Sequence, residues 1–75
     1  MTYEQATERA KRMLAKRTMA QLIADWELTE RLPYTPELPV TRGWLMDEFE
    51  RRDPEAYDAW LEAYDASPRD YFKVA

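Results

Sequence analysis

The sequence contains no cysteine and no histidine. Without cysteine, the chain can form neither a disulfide nor a thiolate metal site, and it has no thiol nucleophile. Without histidine, it lacks the commonest zinc ligand, the base of a Ser-His-Asp triad and the side chain that titrates near neutral pH. These two absences exclude enzymes with a Ser-His-Asp or Cys-His arrangement and zinc sites of the usual ligands.

Glycine and long apolar runs are also scarce. A single glycine cannot build a phosphate-cradling loop, and no run approaches the ~18 consecutive apolar residues of a membrane span. The N-terminus, MTYEQATERA, lacks the apolar stretch of a signal peptide. We therefore expect a soluble, cytoplasmic protein with no membrane partner.

A chain of 75 residues allows one domain, residues 1–75. A domain of this size buries only ~60–65% of the surface that its unfolded chain exposes, so its core is marginal. Small scaffolds without disulfides commonly depend on a metal or a second subunit. The sequence thus favours a protein partner, as yet unidentified, or self-association, and we expect a homodimer.

The net charge of −4 conceals an asymmetry along the chain. Residues 1–24 hold five basic and two acidic side chains, whereas residues 25–75 hold six basic and thirteen acidic ones. A basic arm on an acidic body can bind an anionic partner, or it can lie against the acidic body itself.

The composition predicts an all-α fold. Alanine, leucine, glutamate and arginine are abundant, β-branched residues are few, and no period-2 run is long enough for a strand. We predict a small three-helix domain with helices near residues 3–31, 41–52 and 54–66. A proline-rich connector at 32–40 and a short C-terminal turn at 67–75 complete the domain.

The first predicted helix carries an apolar stripe that changes face. At ~100° per residue, one face holds Tyr3, Ala6, Ala10, Met13 and Leu14. Nearly the opposite face holds Met19, Leu22, Ile23 and Trp26. Either the helix breaks at a capping box formed by Thr18 and Gln21, or one long helix packs its two halves against different neighbours.

We favour the long helix, because no glycine or proline enforces a break. On this interpretation the first half needs a second surface to cover it, and another subunit can provide one. The candidate self-association residues are Ala6, Ala10, Met13 and Leu14.

Residues 41–66 have the pattern of a helical hairpin or corner. Thr41 is a good N-cap for the first of the two helices. Asp53 and Pro54 then supply an N-cap and a first-position proline for the second. Two helices joined this tightly must meet at an angle.

Residues 54–66 divide into three stripes. The aromatic stripe, predicted to face the core, holds Tyr57, Trp60, Leu61 and Tyr64. A small-residue stripe, which permits close approach of another helix, holds Ala56, Ala59, Ala63 and Ala66. The acidic stripe holds Glu55, Asp58, Glu62 and Asp65. It is either an ordinary solvated face or a surface complementary to something basic, whether a partner or the N-terminal arm. The predicted core consists of Leu22, Ile23, Trp26, Leu45, Phe49, Tyr57, Trp60, Leu61 and Tyr64.

The fifteen carboxylates offer possible pairs for acid–base or metal chemistry. Those roles need a cleft that shields and positions the carboxylates, which so short a chain rarely forms. Here Asp47 and Glu48 precede Arg51 and Arg52 by four residues, the spacing of solvated helix ion pairs. We expect no enzymatic activity, no metal site and no cofactor.

A basic stripe in the N-terminal segment is the alternative functional feature. Arg9, Arg12 and Lys16 share one face, and Lys11 and Arg17 flank them. Such a stripe can supply ~3–5 phosphate contacts, which means weak and salt-sensitive binding to nucleic acid. The acidic remainder of the chain opposes that function, so a solvated helix or self-association is favoured over nucleic-acid binding.

Trp44 lies away from the face that holds Leu45, Met46 and Phe49. It either tucks under the proline-rich connector, which we favour because aromatic rings beside prolines usually pack, or it is an exposed anchor for a partner. The candidate partner contacts are Trp44, Arg51, Ala59, Ala63, Glu55, Asp58 and Glu62.

Residues 38–64, LPVTRGWLMDEFERRDPEAYDAWLEAY, form about a third of the chain. The features Arg42-Gly43-Trp44, Asp47 to Arg52, and Asp53-Pro54-Glu55-Ala56-Tyr57 followed by Ala59-Trp60-Leu61 resemble segments of small proteins encoded by actinobacterial phages, including mycobacteriophages. That family has no assigned activity, so the resemblance transfers no catalytic residues. It implies a small accessory protein that acts in the host cytoplasm by binding a host or phage protein.

Overall fold

The computed structural model describes residues 2–74 and shows four α-helices without a strand among them. The elements are α1 (Tyr3–Ala15), α2 (Met19–Arg31), α3 (Glu37–Arg52), α4 (Pro54–Glu62) and a 3₁₀ turn, Pro68–Asp70. Helix α3 is the longest and contacts each of the other three. The predicted all-α class is confirmed.

The N-terminal segment is two helices, so the continuous helix over residues 3–31 that we favoured is wrong. After α1, the backbone N–H of Lys16 bonds to the carbonyl of Met13 at 3.2 Å, a tightened last turn. Thr18 then starts α2 with a full capping box: its hydroxyl accepts from the Gln21 backbone at 3.1 Å, and the Gln21 side chain accepts from the Thr18 backbone at 3.0 Å. The box satisfies helix-end donors locally, so no glycine or proline is needed to break the helix.

Helix α3 begins inside the segment predicted to be a proline-rich connector. Thr41, predicted as its N-cap, lies in the fifth helical position, counted from Glu37. The prediction took Pro39 as a barrier to helix. However, Pro39 occupies the first turn, where a backbone N–H has no helical acceptor, so its missing donor costs nothing.

The corner between α3 and α4 has the predicted construction. The Asp53 carboxylate accepts from the Ala56 backbone N–H at 3.1 Å, and Pro54 occupies the first helical turn. The other end of α4 differs from the prediction, because the helix stops at Glu62 and not near residue 66.

The early end of α4 removes Tyr64 from the aromatic stripe. Tyr64 and Asp65 have φ values of 44° and 66°, in the left-handed region, and the Tyr64 side chain is 86% exposed. Leu61 is also about half exposed. These two residues were wrongly predicted to be core.

The core is formed by Leu22, Ile23, Leu45, Phe49, Trp60 and Phe72. Its aromatic rings pack mostly edge to face: the Trp26 and Trp60 centroids are 5.0 Å apart, and those of Phe49 and Trp60 are 5.6 Å apart. Phe72, from the C-terminal turn, stacks on Phe49 at 4.7 Å and is a core residue that the predicted core did not include.

Arg52 joins the end of α1 to α3. Its guanidinium Nη2 donates to the carbonyls of Leu14 and Arg17 at 3.0 and 2.7 Å, and its Nε donates to the Glu48 carboxylate at 2.6 Å. A cation at these carbonyls satisfies the free acceptors at the helix C-terminus and opposes its partial negative charge. This contact fixes α1 against α3 and thereby forms one wall of the site described next.

Candidate interaction site

An apolar groove runs between α1, α2 and α3. We call it the α1–α2–α3 groove; its volume is about 390 Å³. Its lining residues are Ala10, Met13, Leu14, Asp25, Leu28, Thr29, Leu32, Thr41, Trp44 and Leu45. Met13 and Leu28 are 62% and 55% exposed, and Leu32 is about half exposed. The groove thus presents large apolar side chains to solvent from two different helices.

The candidate self-association residues lie along this groove or beside it. Ala6, Ala10 and Leu14 are half-buried, because α1 packs against α3. Met13 stays exposed at the outer edge of the groove. The chain's own body therefore covers this face of α1 only in part.

Trp44 stands between the groove and a second depression on α3. It is half-buried, and its indole N–H donates to the Thr7 hydroxyl at 3.3 Å, so its polar contact is with α1. Of the two alternatives from the sequence, neither describes this placement: Trp44 is not tucked solely under the connector, and it is not fully exposed. Trp44 is thus half-buried and lines the groove.

The second depression, of about 320 Å³, has charged walls. It is lined by Lys11, Arg12, Ala15, Trp44, Asp47, Glu48 and Arg51. The structure thus places Trp44 and Arg51 together, whereas none of the candidate contacts on α4 lines this depression. Arg51 binds Glu48, at 2.6 Å, in place of the Asp47 that the i,i+4 spacing suggested.

Glu48 is the buried charge of the molecule's ion-pair network. Its side chain is 6% exposed and is held by both Arg51 and Arg52 at 2.6 Å. Burial raises the pKa of this carboxylate. The hydrogen bonds and positive charges of Arg51 and Arg52 together lower it by more than burial raises it, so the pKa lies below its ordinary 4.5. Glu48 therefore remains ionised and structural at neutral pH.

The outer edge of the groove is basic. Arg9 of α1 is four residues before Met13, and Lys16, the C-cap residue of α1, is three residues after it, so the three side chains lie in one row. On α2, Arg31 is three residues after Leu28, so these two side chains are neighbours on the helix surface. Within the described part of the chain, none of the ion pairs involves these three cations.

Two charges inside or beside the groove neutralise each other. Asp25 lines the groove, and the Arg17 guanidinium donates to its two carboxylate oxygens at 3.1 and 2.9 Å. This bidentate pair joins the middle of α2 to the short link that follows α1. Consequently Asp25 does not leave an unpaired negative charge in the groove.

The surface of α4 is acidic. Glu55, Asp58, Ala59 and Glu62 are exposed, and Ala63 is half-buried. Burial raises the pKa of the Tyr57 hydroxyl above its ordinary 10.0, and the carboxylates of Glu50, Asp47 and Asp58 raise it further. Burial is the larger cause of this shift, and the carboxylates of α3 and α4 add to it.

A third depression, of about 260 Å³, lies between α4 and the other helices. It is lined by Trp26, Glu30, Arg42, Met46, Trp60, Leu61, Tyr64, Asp65 and Ala66. The Arg42 guanidinium carbon lies 5.2 Å from the Trp26 ring centroid, and its Nε donates to the Thr29 hydroxyl at 3.0 Å. The cation–π contact occupies one face of the indole, so Arg42 has a packing role here.

The sequence interpretation did not identify Leu28 as part of a site. Leu28 falls outside the stripe that holds Leu22, Ile23 and Trp26, so the period of that stripe does not show it. One feature of the sequence could have identified Leu28. It is a large aliphatic residue on the polar side of α2, where no other large apolar residue of the helix lies beside it.

Other kinds of site find little support in residues 2–74. No group of three or more acidic side chains is arranged to hold a metal ion in that part of the chain. No helix there is long and apolar enough to cross a membrane.

Comparison of the chain with protein-family models, with curated proteins and with solved structures gave no match. The resemblance to proteins of actinobacterial phages stays a prediction.

Proposed function

We propose that this protein is a small, non-enzymatic protein–protein interaction module that associates with itself. It acts without a cofactor, as an accessory protein of the phage type, on a protein of the host or the phage. The observation that carries the proposal is the α1–α2–α3 groove, in which Met13 and Leu28 are more than half exposed. Covering such side chains stabilises a complex, by ~25 cal/mol for each Å² of apolar surface removed from water.

Self-association is tested by sedimentation velocity over a range of micromolar concentrations. The double variant Met13→Glu/Leu28→Glu places two carboxylates in the groove, so we expect it to remain monomeric under conditions in which the wild-type chain associates. A matched control is Ala20→Glu, which adds one carboxylate to an exposed position of α2 that does not line the groove. A wild-type chain that is monomeric at every concentration contradicts the proposal.

A second candidate function is weak nucleic-acid binding by the segment 9–17. It is favoured by one observation: Arg9, Lys11, Arg12 and Lys16 are all exposed, and no ion pair among residues 2–74 engages them. The acidic surface of α4 opposes it, because a negative body repels a phosphate backbone.

This alternative is tested by fluorescence anisotropy with a labelled DNA or RNA duplex at low salt. Three phosphate contacts give a slope of log K against log salt of about −3. The triple variant Arg9→Glu/Arg12→Glu/Lys16→Glu removes those contacts and should not bind. Absence of wild-type binding at low salt excludes this function.

A further inference from the structure

One segment of the chain carries only basic charges, and another carries only acidic charges. Residues 9–17 contain five basic and no acidic side chains, and residues 53–68 contain five acidic and no basic ones. In the structure, Arg9 and Lys16 of the first segment flank Met13 at the outer edge of the α1–α2–α3 groove, and the second segment contains α4 and the turn that follows it. The two segments are therefore electrostatic complements located on different surfaces.

The acidic segment also presents apolar side chains to solvent. Leu61 is about half exposed and Tyr64 is 86% exposed, and both lie between carboxylates: Asp58 is three residues before Leu61, and Asp65 follows Tyr64. We define the α4 ridge as Asp58, Leu61, Glu62, Tyr64 and Asp65. It is an apolar edge with an acidic border, whereas the groove is an apolar hollow with a basic border.

The backbone at the tip of the ridge is held in an unfavourable conformation. Tyr64 and Asp65 are both left-handed, a conformation that costs a side-chain-bearing residue stability. It projects the Tyr64 ring into solvent, where the ring makes no contribution to the chain's own core. An aromatic side chain in this position is suited to contact another molecule.

The ridge cannot fill the groove of its own chain. The depression that Leu61 and Tyr64 line shares no residue with the groove, so the two surfaces are separate. Symmetric pairing of two grooves is also unfavourable, because it brings Arg9, Lys16 and Arg31 of one copy close to the same cations of the other.

We propose that the α4 ridge of one copy docks in the α1–α2–α3 groove of a second copy. Leu61 and Tyr64 enter the hollow beside Met13 and Leu28, while the acidic border of the ridge meets the basic edge of the groove. This inference rests on the proposed self-association and specifies its geometry. Because the two surfaces differ, the contact is head to tail, and the pair keeps one free groove on one copy and one free ridge on the other for further copies.

A mixing experiment distinguishes this geometry from a symmetric dimer. The groove variant Met13→Glu/Leu28→Glu retains an intact ridge, and the ridge variant Leu61→Lys/Tyr64→Asn retains an intact groove. Asparagine is chosen because it tolerates the left-handed conformation of residue 64. We expect each variant alone to bind itself at least ~30-fold more weakly than wild type, the scale of losing an interface hot spot.

The two variants mixed in equal amounts should form a one-to-one complex that stops at two chains. In each complex, the intact ridge of the groove variant binds the intact groove of the ridge variant. The other ridge and the other groove carry the substitutions, so no third chain can bind. Sedimentation velocity measures the size, and the wild-type chain should instead grow beyond two copies as its concentration rises. Ala20→Lys, an exposed substitution on α2 at a position that lines none of the three depressions, is the matched control and should behave as wild type.

A second pair of variants changes only exposed charged residues. These substitutions leave the core unchanged, so misfolding does not explain a loss of association. Arg9→Glu/Lys16→Glu reverses the edge of the groove, and Asp58→Lys/Glu62→Lys reverses the border of the ridge. Each should associate poorly alone, and mixing the two should restore association. Circular dichroism establishes that each variant is folded.

The outcomes separate this inference from the function on which it rests. A wild-type chain that never associates overturns the proposed function. A wild-type chain that associates while the folded ridge variant does so equally well shows symmetric groove pairing and overturns the head-to-tail geometry alone. Two folded, monomeric variants that fail to combine when mixed overturn it as well.

Discussion

At the scale of single residues, Arg52 is the side chain on which the packing of α1 most depends. Its side chain is 19% exposed, and it connects buried Glu48 to the carbonyls at the end of α1. Neighbouring Arg51 binds the same carboxylate but is 63% exposed and makes no contact with α1 carbonyls among the described residues. The two arginines therefore contribute differently to stability, although both bind Glu48.

Arg52→Ala should lower the free energy of unfolding by about 2 kcal/mol, because it removes the donor to the part-buried Arg17 carbonyl and one of the two arginines that neutralise buried Glu48. Arg51→Ala, the matched control, should cost only about 0.5 kcal/mol, as expected for a solvent-exposed ion pair. Urea denaturation followed by circular dichroism measures both values. Equal losses for the two variants would contradict the role given to Arg52.

Glu48 should make stability depend on pH in the acid range. Its pKa in the folded protein is below the ordinary 4.5, despite burial, because of Arg51 and Arg52. The unfolded chain thus takes up its proton first as the pH falls, so this contribution to stability is complete above about pH 4.5 and is lost as the pH drops through the folded-state pKa. Urea denaturation of wild type and Glu48→Gln from pH 6 down to about pH 3 checks this. The variant should lose less stability on acidification than wild type, and an identical pH dependence would rule out the contribution.

At the scale of helices, the chain uses one capping device twice in different surroundings. Thr2 with Gln5 and Thr18 with Gln21 form the same capping box. Helix α2 contributes two core residues, Leu22 and Ile23, whereas α1 has no buried residue. The box at Thr18 therefore starts a helix on which the core depends.

Thr18→Ala should lower the free energy of unfolding by about 1 kcal/mol, the usual effect of losing a helix N-cap. Thr2→Ala should cost only a few tenths, because fraying at the start of α1 uncovers no core. Urea denaturation gives both values, and hydrogen exchange should show faster exchange limited to the first turn of α1 in the Thr2 variant. A larger loss for Thr2→Ala than for Thr18→Ala would refute this ranking.

The helix ends show how far the sequence predicts the elements. The capping box at Thr18 and the Asp53-Pro54 start are local signals, and both are visible in the sequence and present in the structure. The Thr18 box is enough to begin a new helix here, although no glycine or proline ends the one before it. The left-handed conformation at Tyr64 could not be predicted, because tyrosine does not favour it and the cause is the C-terminal turn: the Trp60 indole N–H donates to the Ala66 carbonyl at 2.8 Å, and Phe72 fills the core.

At the scale of the whole molecule, the predicted core was largely right and the predicted surfaces only partly so. Leu22, Ile23, Leu45, Phe49 and Trp60 are buried as expected, since each lies on a helical stripe that period alone identifies. The groove also needs Leu28 and Leu32, which join Met13 only through the angle between α1 and α2. That angle depends on tertiary contacts such as those of Arg52, so no pattern within one helix reveals it.

Self-association should make thermal stability depend on concentration. If copies bind only in the folded state, raising the protein concentration tenfold should raise the melting temperature by a few degrees in a domain of this size. The groove variant Met13→Glu/Leu28→Glu should melt at one temperature at all concentrations. Differential scanning fluorimetry or calorimetry measures the shift, and a concentration-independent wild-type melting temperature would count against association.

The placement of the three indoles gives the molecule its own optical reporters. Trp44 lines the groove, so displacement of water from that hollow should move its fluorescence emission to shorter wavelength. Trp26 and Trp60 lie 5.0 Å apart in the interior, and coupling between their excited states gives a circular dichroism signal that disappears when their packing is lost. Occupancy of the groove and integrity of the interior can thus be followed separately, in the same unlabelled sample.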